Sequence, residues 1–108
     1  MAITFTQVWG TKSSSAQATV TFNTSQAGPE VVVHVCLYDG PVDETPTQER
    51  DWDLSETRPT EEVQMNANYP NLNGILTLNG NIVTFQGEMY RKDNVKIGLE
   101  PIVVAVLD

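Results

Sequence analysis

One histidine, one cysteine and six basic residues among 108 close off several kinds of chemistry at the outset. With Cys36 alone no internal disulfide can form. A zinc site built from His and Cys usually takes three or four such ligands, and His34 and Cys36 make two, so no metal is expected there. A Ser/His/Asp triad would have to pass through His34, and Ser13-Ser14-Ser15 reads instead as a hairpin turn. No glycine-rich phosphate loop opens a helix: Gly74, Gly80 and Gly87 read as turn or bulge glycines. The shortage of Lys and Arg, with a net charge of −8, argues against nucleic-acid backbones and anionic membranes as partners.

Long apolar runs are also missing. None approaches the ~18 residues that cross a bilayer. The start, Met1-Ala2-Ile3-Thr4-Phe5-Thr6, has neither a basic stretch nor an apolar one of signal-peptide type. The expectation is a soluble, cytoplasmic protein, with export by a leaderless route compatible with the same residues. Apolar residues at 40% and charged residues at 19% suit a single folded domain over 1–108, large enough to bury a core.

What the chain does have is alternation. Ala16, Ala18, Val20 and Phe22 interleave with Gln17, Thr19, Thr21 and Asn23, the period-two pattern of a strand with one dry and one wet face. Ile3, Phe5 and Trp9 lie on one face of an earlier strand. Val63, Met65 and Ala67 alternate with polar neighbours, as do Val95, Ile97 and Leu99. Two segments, Val31 to Tyr38 and Ile102 to Leu107, are apolar or semi-apolar on both faces, which marks a central strand or a subunit interface. The second ends the chain, so Ile102, Val104 and Val106 are candidate contacts with a partner or a second copy.

Turn chemistry agrees. Asn79-Gly80 predicts a type I′ hairpin with Leu76 facing Val83. Ser25 to Pro29 holds a Gly-Pro stop. Pro101 can only begin a strand or mark a bulge, because it has no ladder N–H. Leu-Asn-Gly at Leu72–Gly74 and again at Leu78–Gly80 reads as two turns around a short strand. The expected fold is all-β: an antiparallel β-sandwich, jelly-roll or immunoglobulin-like, of about eight strands.

Asp39 to Glu62 interrupts this rhythm. It reads as a long acidic connection, far beyond the usual two to six residues, with a short helix over Pro46–Leu54 capped by Thr45. It holds nine of the fourteen acids against Arg50 and Arg58, so acidity is local to it. The plain interpretation is a solvated crossover pinned by Trp52 and Leu54. A second is a carbohydrate site, with the Trp52 face, Asp51, Asp53 and Arg50 gripping a sugar. A third is Ca²⁺, although Asp39, Asp43, Glu44 and Asp51 do not match a known loop spacing. The charge itself reads as solubility, or as mimicry of a polyanion against a basic partner.

His34 and Cys36, two apart on one strand face, could be base and nucleophile. The plainer expectation is a hydrogen-bonded histidine and a buried thiol in a central strand. No catalytic residue is assigned. The expected function is a non-catalytic binding or assembly module for a protein partner or itself, with a lectin-like protein and an acidic inhibitor of a basic protein as alternatives.

Overall fold

In the computed structural model, residues 3–9, 18–40, 45–66, 69–91 and 96–107 are described. They form two antiparallel sheets. Sheet A holds β1 (Ile3–Trp9), β2 (Ala18–Ala27), β3 (Glu30–Tyr38) and β4 (Gln48–Leu54). Sheet B holds β5 (Thr60–Met65), β6 (Asn71–Asn79), β7 (Ile82–Tyr90) and β8 (Lys96–Val106). There is no helix among the described residues, and none therefore that is long and apolar enough to cross a membrane.

The strand order is sequential in both sheets, β1-β2-β3-β4 and β5-β6-β7-β8. That corrects the jelly-roll and immunoglobulin-like expectation, because both of those folds carry Greek-key connections. Here β1 lies beside β8 and β4 beside β5, although no ladder joins either pair among the described residues. Neighbours in sequence are thus neighbours in space around the whole molecule. Alternation predicts which face of a strand is dry but is silent on connectivity, which is why the topology was not legible in it.

The core lies between the sheets. Sheet A contributes Val20, Phe22, Val31, Val33, Val35, Leu37, Trp52 and Leu54, and sheet B contributes Val63, Leu72, Leu76, Val83, Phe85 and Met89. Phe22 meets Phe85 across the gap, ring centroids 5.1 Å apart at 41°. Aromatic pairs tilted at this distance add to what area burial supplies. The alternation expected for β2 and β5 holds on this inner side. Ala16, Gln17, Ala67 and Val95 lie outside the described residues, as do Asp43 and Glu44.

The short helix expected within the long connection is instead strand β4, Gln48–Leu54, and the connection's end is the start of β5. Gln48, Arg50, Trp52 and Leu54 pair with the inward positions of β3 from Leu37 to Val31, and Glu49, Asp51 and Asp53 with the outward ones. The period of two was present, but two of its inward places hold polar residues, Gln48 and Arg50, which hid it. As the edge of sheet A, β4 keeps a charged outer row, which blunts edge-to-edge pairing. Ser55 and Arg58 exchange both backbone bonds at 3.1 Å, closing the turn where the chain leaves sheet A for sheet B.

Two hairpins differ in detail from expectation. Asn79 pairs with Ile82, so the central residues are Gly80 and Asn81 and the partners are Leu78↔Val83 and Leu76↔Phe85. Gly80 takes φ of 65°, as that turn demands. The earlier Leu72–Gly74 is not a turn: Gly74 sits inside β6 opposite Gly87. In β2–β3, Ala27 pairs with Glu30 around Gly28-Pro29, Gly28 having φ of 62°.

β8 carries two irregularities. Phe85 pairs with Ile102 and Gly87 with Leu99, so Glu100 and Pro101 together oppose Gln86. The proline therefore marks a bulge, as its missing N–H requires. Val83 pairs with Ala105 and Thr84 with Val103, leaving Val104 as the extra residue of a second bulge.

Candidate functional site

Two surfaces bring together side chains that packing does not explain: the outer face of sheet A and the outer face of sheet B.

On sheet A the register builds short rows across three strands. Thr21 pairs with Cys36 and Cys36 with Glu49; Asn23 pairs with His34 and His34 with Asp51. Even-numbered residues of β3 point outward, so His34 and Cys36 share this face with Tyr38. His34 Nδ1 lies 2.5 Å from Asp51 Oδ1, with side-chain exposures of 41% and 61%. His34 is thus a surface residue oriented by a carboxylate, not the internally bonded one expected. Donor atoms of His34, Cys36 and Glu49 all lie within 4.8 Å of one another.

Cys36 and Tyr38 are buried although they face outward, as are Thr19 and Thr21. The wet face expected for β2 is therefore dry at these positions. Thr19 Oγ1 donates to the Gly40 carbonyl at 2.6 Å, which draws the chain after β3 back over the sheet. Burial pushes the Cys36 thiol above its ordinary pKa, and the charges of Glu49 and Asp51 act in the same direction, while hydrogen bonds with Thr21 and Tyr38 oppose it. Burial raises the Tyr38 hydroxyl as well.

Trp52 is on the other side of β4. It is 6% exposed and belongs to the core, and its ring is covered by the Arg50 guanidinium, 4.3 Å from the centroid. Asp51 and Asp53 point to the opposite face. Strand alternation separates a tryptophan from its immediate neighbours, so the structure does not bring Trp52, Asp51 and Asp53 together. Arg50 stacks on the indole, where a sugar ring would have to lie. The indole Nε1 is buried and has no hydrogen-bond partner among the described residues.

On sheet B, Ile75, Ile82, Val103 and Val106 are exposed at 50%, 39%, 50% and 53%. The register sets Ile82 beside Val106 and Thr84 beside both Val103 and Thr77, so this is one continuous face with β-branched, uncharged side chains at its centre. Of the three residues expected to make partner contacts, only Val106 is on it. Ile102 packs against the core and Val104 is buried in it. The bulge at Val104 shifts the phase of the alternation, sending Val103 and Val106 outward and Val104, Ala105 and Leu107 inward. That bulge is why Ile102, Val104 and Val106 do not share a face, and Val103 joins Val106 outside instead. The apolar run on both faces was the visible sign, and the phase shift was not.

No protein-family model, curated protein or solved structure matches this chain.

Proposed function

We propose that this protein is a non-catalytic assembly module that associates with a second copy of itself through the outer face of sheet B. The observation that carries this reading is the exposed apolar patch of Ile75, Ile82, Val103 and Val106, bordered by Glu62 opposite Ile75, in a chain of net charge −8. Two such faces can stack with their side chains interleaved, as sheets do in sandwiches. The contact repeats the same residues on both partners, which suits a two-fold dimer.

Magnitudes make the association weak. Burying the exposed halves of four aliphatic side chains on each partner supplies about 1 kcal/mol apiece, ~8 kcal/mol in all. Association costs at least about 4 kcal/mol of lost freedom, so about 4 kcal/mol at most remains and a Kd of about 1 mM follows, with detectable dimer from about 0.1 mM to 1 mM. Light scattering across that concentration range should show mass rising from one chain toward two. Added salt should promote it by screening the repulsion between two acidic chains. Val103→Lys combined with Val106→Lys should hold the protein monomeric with its circular dichroism unchanged. A monomer at 1 mM in high salt would refute the reading.

A second reading, an acidic mimic that binds a basic protein, rests on Glu49, Asp51 and Asp53, all exposed and alternating along edge strand β4. It predicts capture on a polylysine surface at low salt that is lost in Glu49→Gln, Asp53→Asn; capture unchanged in that variant would count it out.

A further inference from the structure

We infer that the outer face of sheet A holds a binding site for a divalent cation of the zinc class, with His34, Cys36 and Glu49 as ligands and Asp51 orienting the histidine. Two of these residues are neighbours in one strand and the third comes from the next. His34 and Cys36 stand two apart on β3, and the register places Glu49 directly across from Cys36. The three donor atoms lie within 4.8 Å of one another. Tetrahedral zinc, with bonds of about 2.0–2.3 Å, asks its ligands to be roughly 3.3–3.8 Å apart. A contraction of about 1 Å is within reach of small side-chain rotations, above all for Glu49, which is exposed on an edge strand.

The donor set selects the metal. One thiolate, one imidazole and one carboxylate suit zinc and its neighbours, whereas Ca²⁺ and Mg²⁺ require oxygen ligands throughout. Three protein ligands leave a fourth position for water or for a group from a partner. Asp51 supplies the outer support that metal-bound histidines commonly have. Its carboxylate lies 2.5 Å from Nδ1, and with the ring proton on that nitrogen the Nε2 lone pair is free for a cation. Hydrogen bonds with Thr21 and Tyr38 favour the charged form of the Cys36 thiol, against its burial.

The competing use of a His–Cys pair is nucleophilic, and the surroundings oppose it. A nucleophilic thiolate needs positive neighbours, and here the nearest charges are the carboxylates of Glu49 and Asp51. The same two negative charges favour a bound dication.

The test uses the untagged, chelator-treated chain and Co²⁺ as the spectroscopic probe, with Zn²⁺ affinity read by competition against a chromophoric chelator. The expected result is one metal per chain, tetrahedral d–d absorption, and a near-ultraviolet thiolate-to-cobalt band. Cys36→Ser should remove that band. Glu49→Gln should keep it and weaken Zn²⁺ about tenfold, and Asp51→Asn should weaken it by about 10- to 100-fold. Glu62→Gln, on the other sheet, should change nothing. A cobalt complex without the thiolate band, or Glu49→Gln binding Zn²⁺ as tightly as the parent, overturns the site. So does the absence of any binding at about 100 μM Zn²⁺. Should Cys36→Ser fail to fold, the parent's cobalt spectrum and the exposed Glu49→Gln variant still decide.

Discussion

Replacing Gly74 with alanine tests how tightly the middle of sheet B is packed. Gly74 and Gly87 face each other in β6 and β7, and the Phe85 ring lies over both. A Cβ on Gly74 would sit 2.5 Å from the Gln86 carbonyl oxygen, and 2.5 Å and 2.8 Å from Cζ and Cε1 of Phe85. Ordinary carbon contacts are about 3.5–4.0 Å, so the overlap is roughly 1 Å. Neither neighbour is free to yield. The ring is fully buried and held against Phe22, and the carbonyl is backbone. Alanine brings back about 0.4–1 kcal/mol through the unfolded chain and about 0.8 kcal/mol from burying a methyl group. Overpacking of this kind costs about 1–3 kcal/mol, and backbone contact puts it at or above the top of that range. The expected net loss is about 1–2 kcal/mol, read as a lower urea midpoint at constant slope and a Tm lower by roughly 5–10 °C. The reasoning also predicts coupling. In Phe85→Leu the two ring atoms are gone, so Gly74→Ala should cost about 1 kcal/mol less there than in the parent. Equal cost in both backgrounds, or a Gly74→Ala chain as stable as the parent, would refute the packing argument.

Trp52→Ala should lower stability by about 3–5 kcal/mol by emptying a core position, measurable in urea; a loss under 1 kcal/mol would mean the indole is not packed as described. Sugars at tens of millimolar should leave Trp52 fluorescence unchanged, because Arg50 occupies the ring face; saturable quenching that disappears in Trp52→Phe would restore the lectin-like reading. Asn81→Ala removes the bond its Nδ2 donates to the Leu107 carbonyl at 3.2 Å but keeps the Leu107 N–H bond to the Asn81 carbonyl. It should therefore cost only about 0.5–1.5 kcal/mol and speed amide exchange at Leu107, and no change in that exchange would argue against the clamp.

The all-β class was legible in the sequence because alternation reports directly on which side of a strand is dry. Val20 and Phe22, and Val63 and Met65, each carried that signal and are core. Gly28 and Gly80 were legible as turns because each needs a positive φ. The amino-acid order also placed His34 and Cys36 on one face, since that follows from strand geometry alone. It did not reveal β4, whose inward positions include Gln48 and Arg50, and edge strands tolerate such residues because part of their inner side reaches solvent. The Val104 bulge turned Ala105 inward and Val106 outward, and a one-residue shift of phase depends on pairing with β7 rather than on β8 itself. The third proposed ligand lies thirteen positions beyond Cys36. Glu49 is one acid among many in the sequence, and only the register between β3 and β4 sets it opposite the thiol.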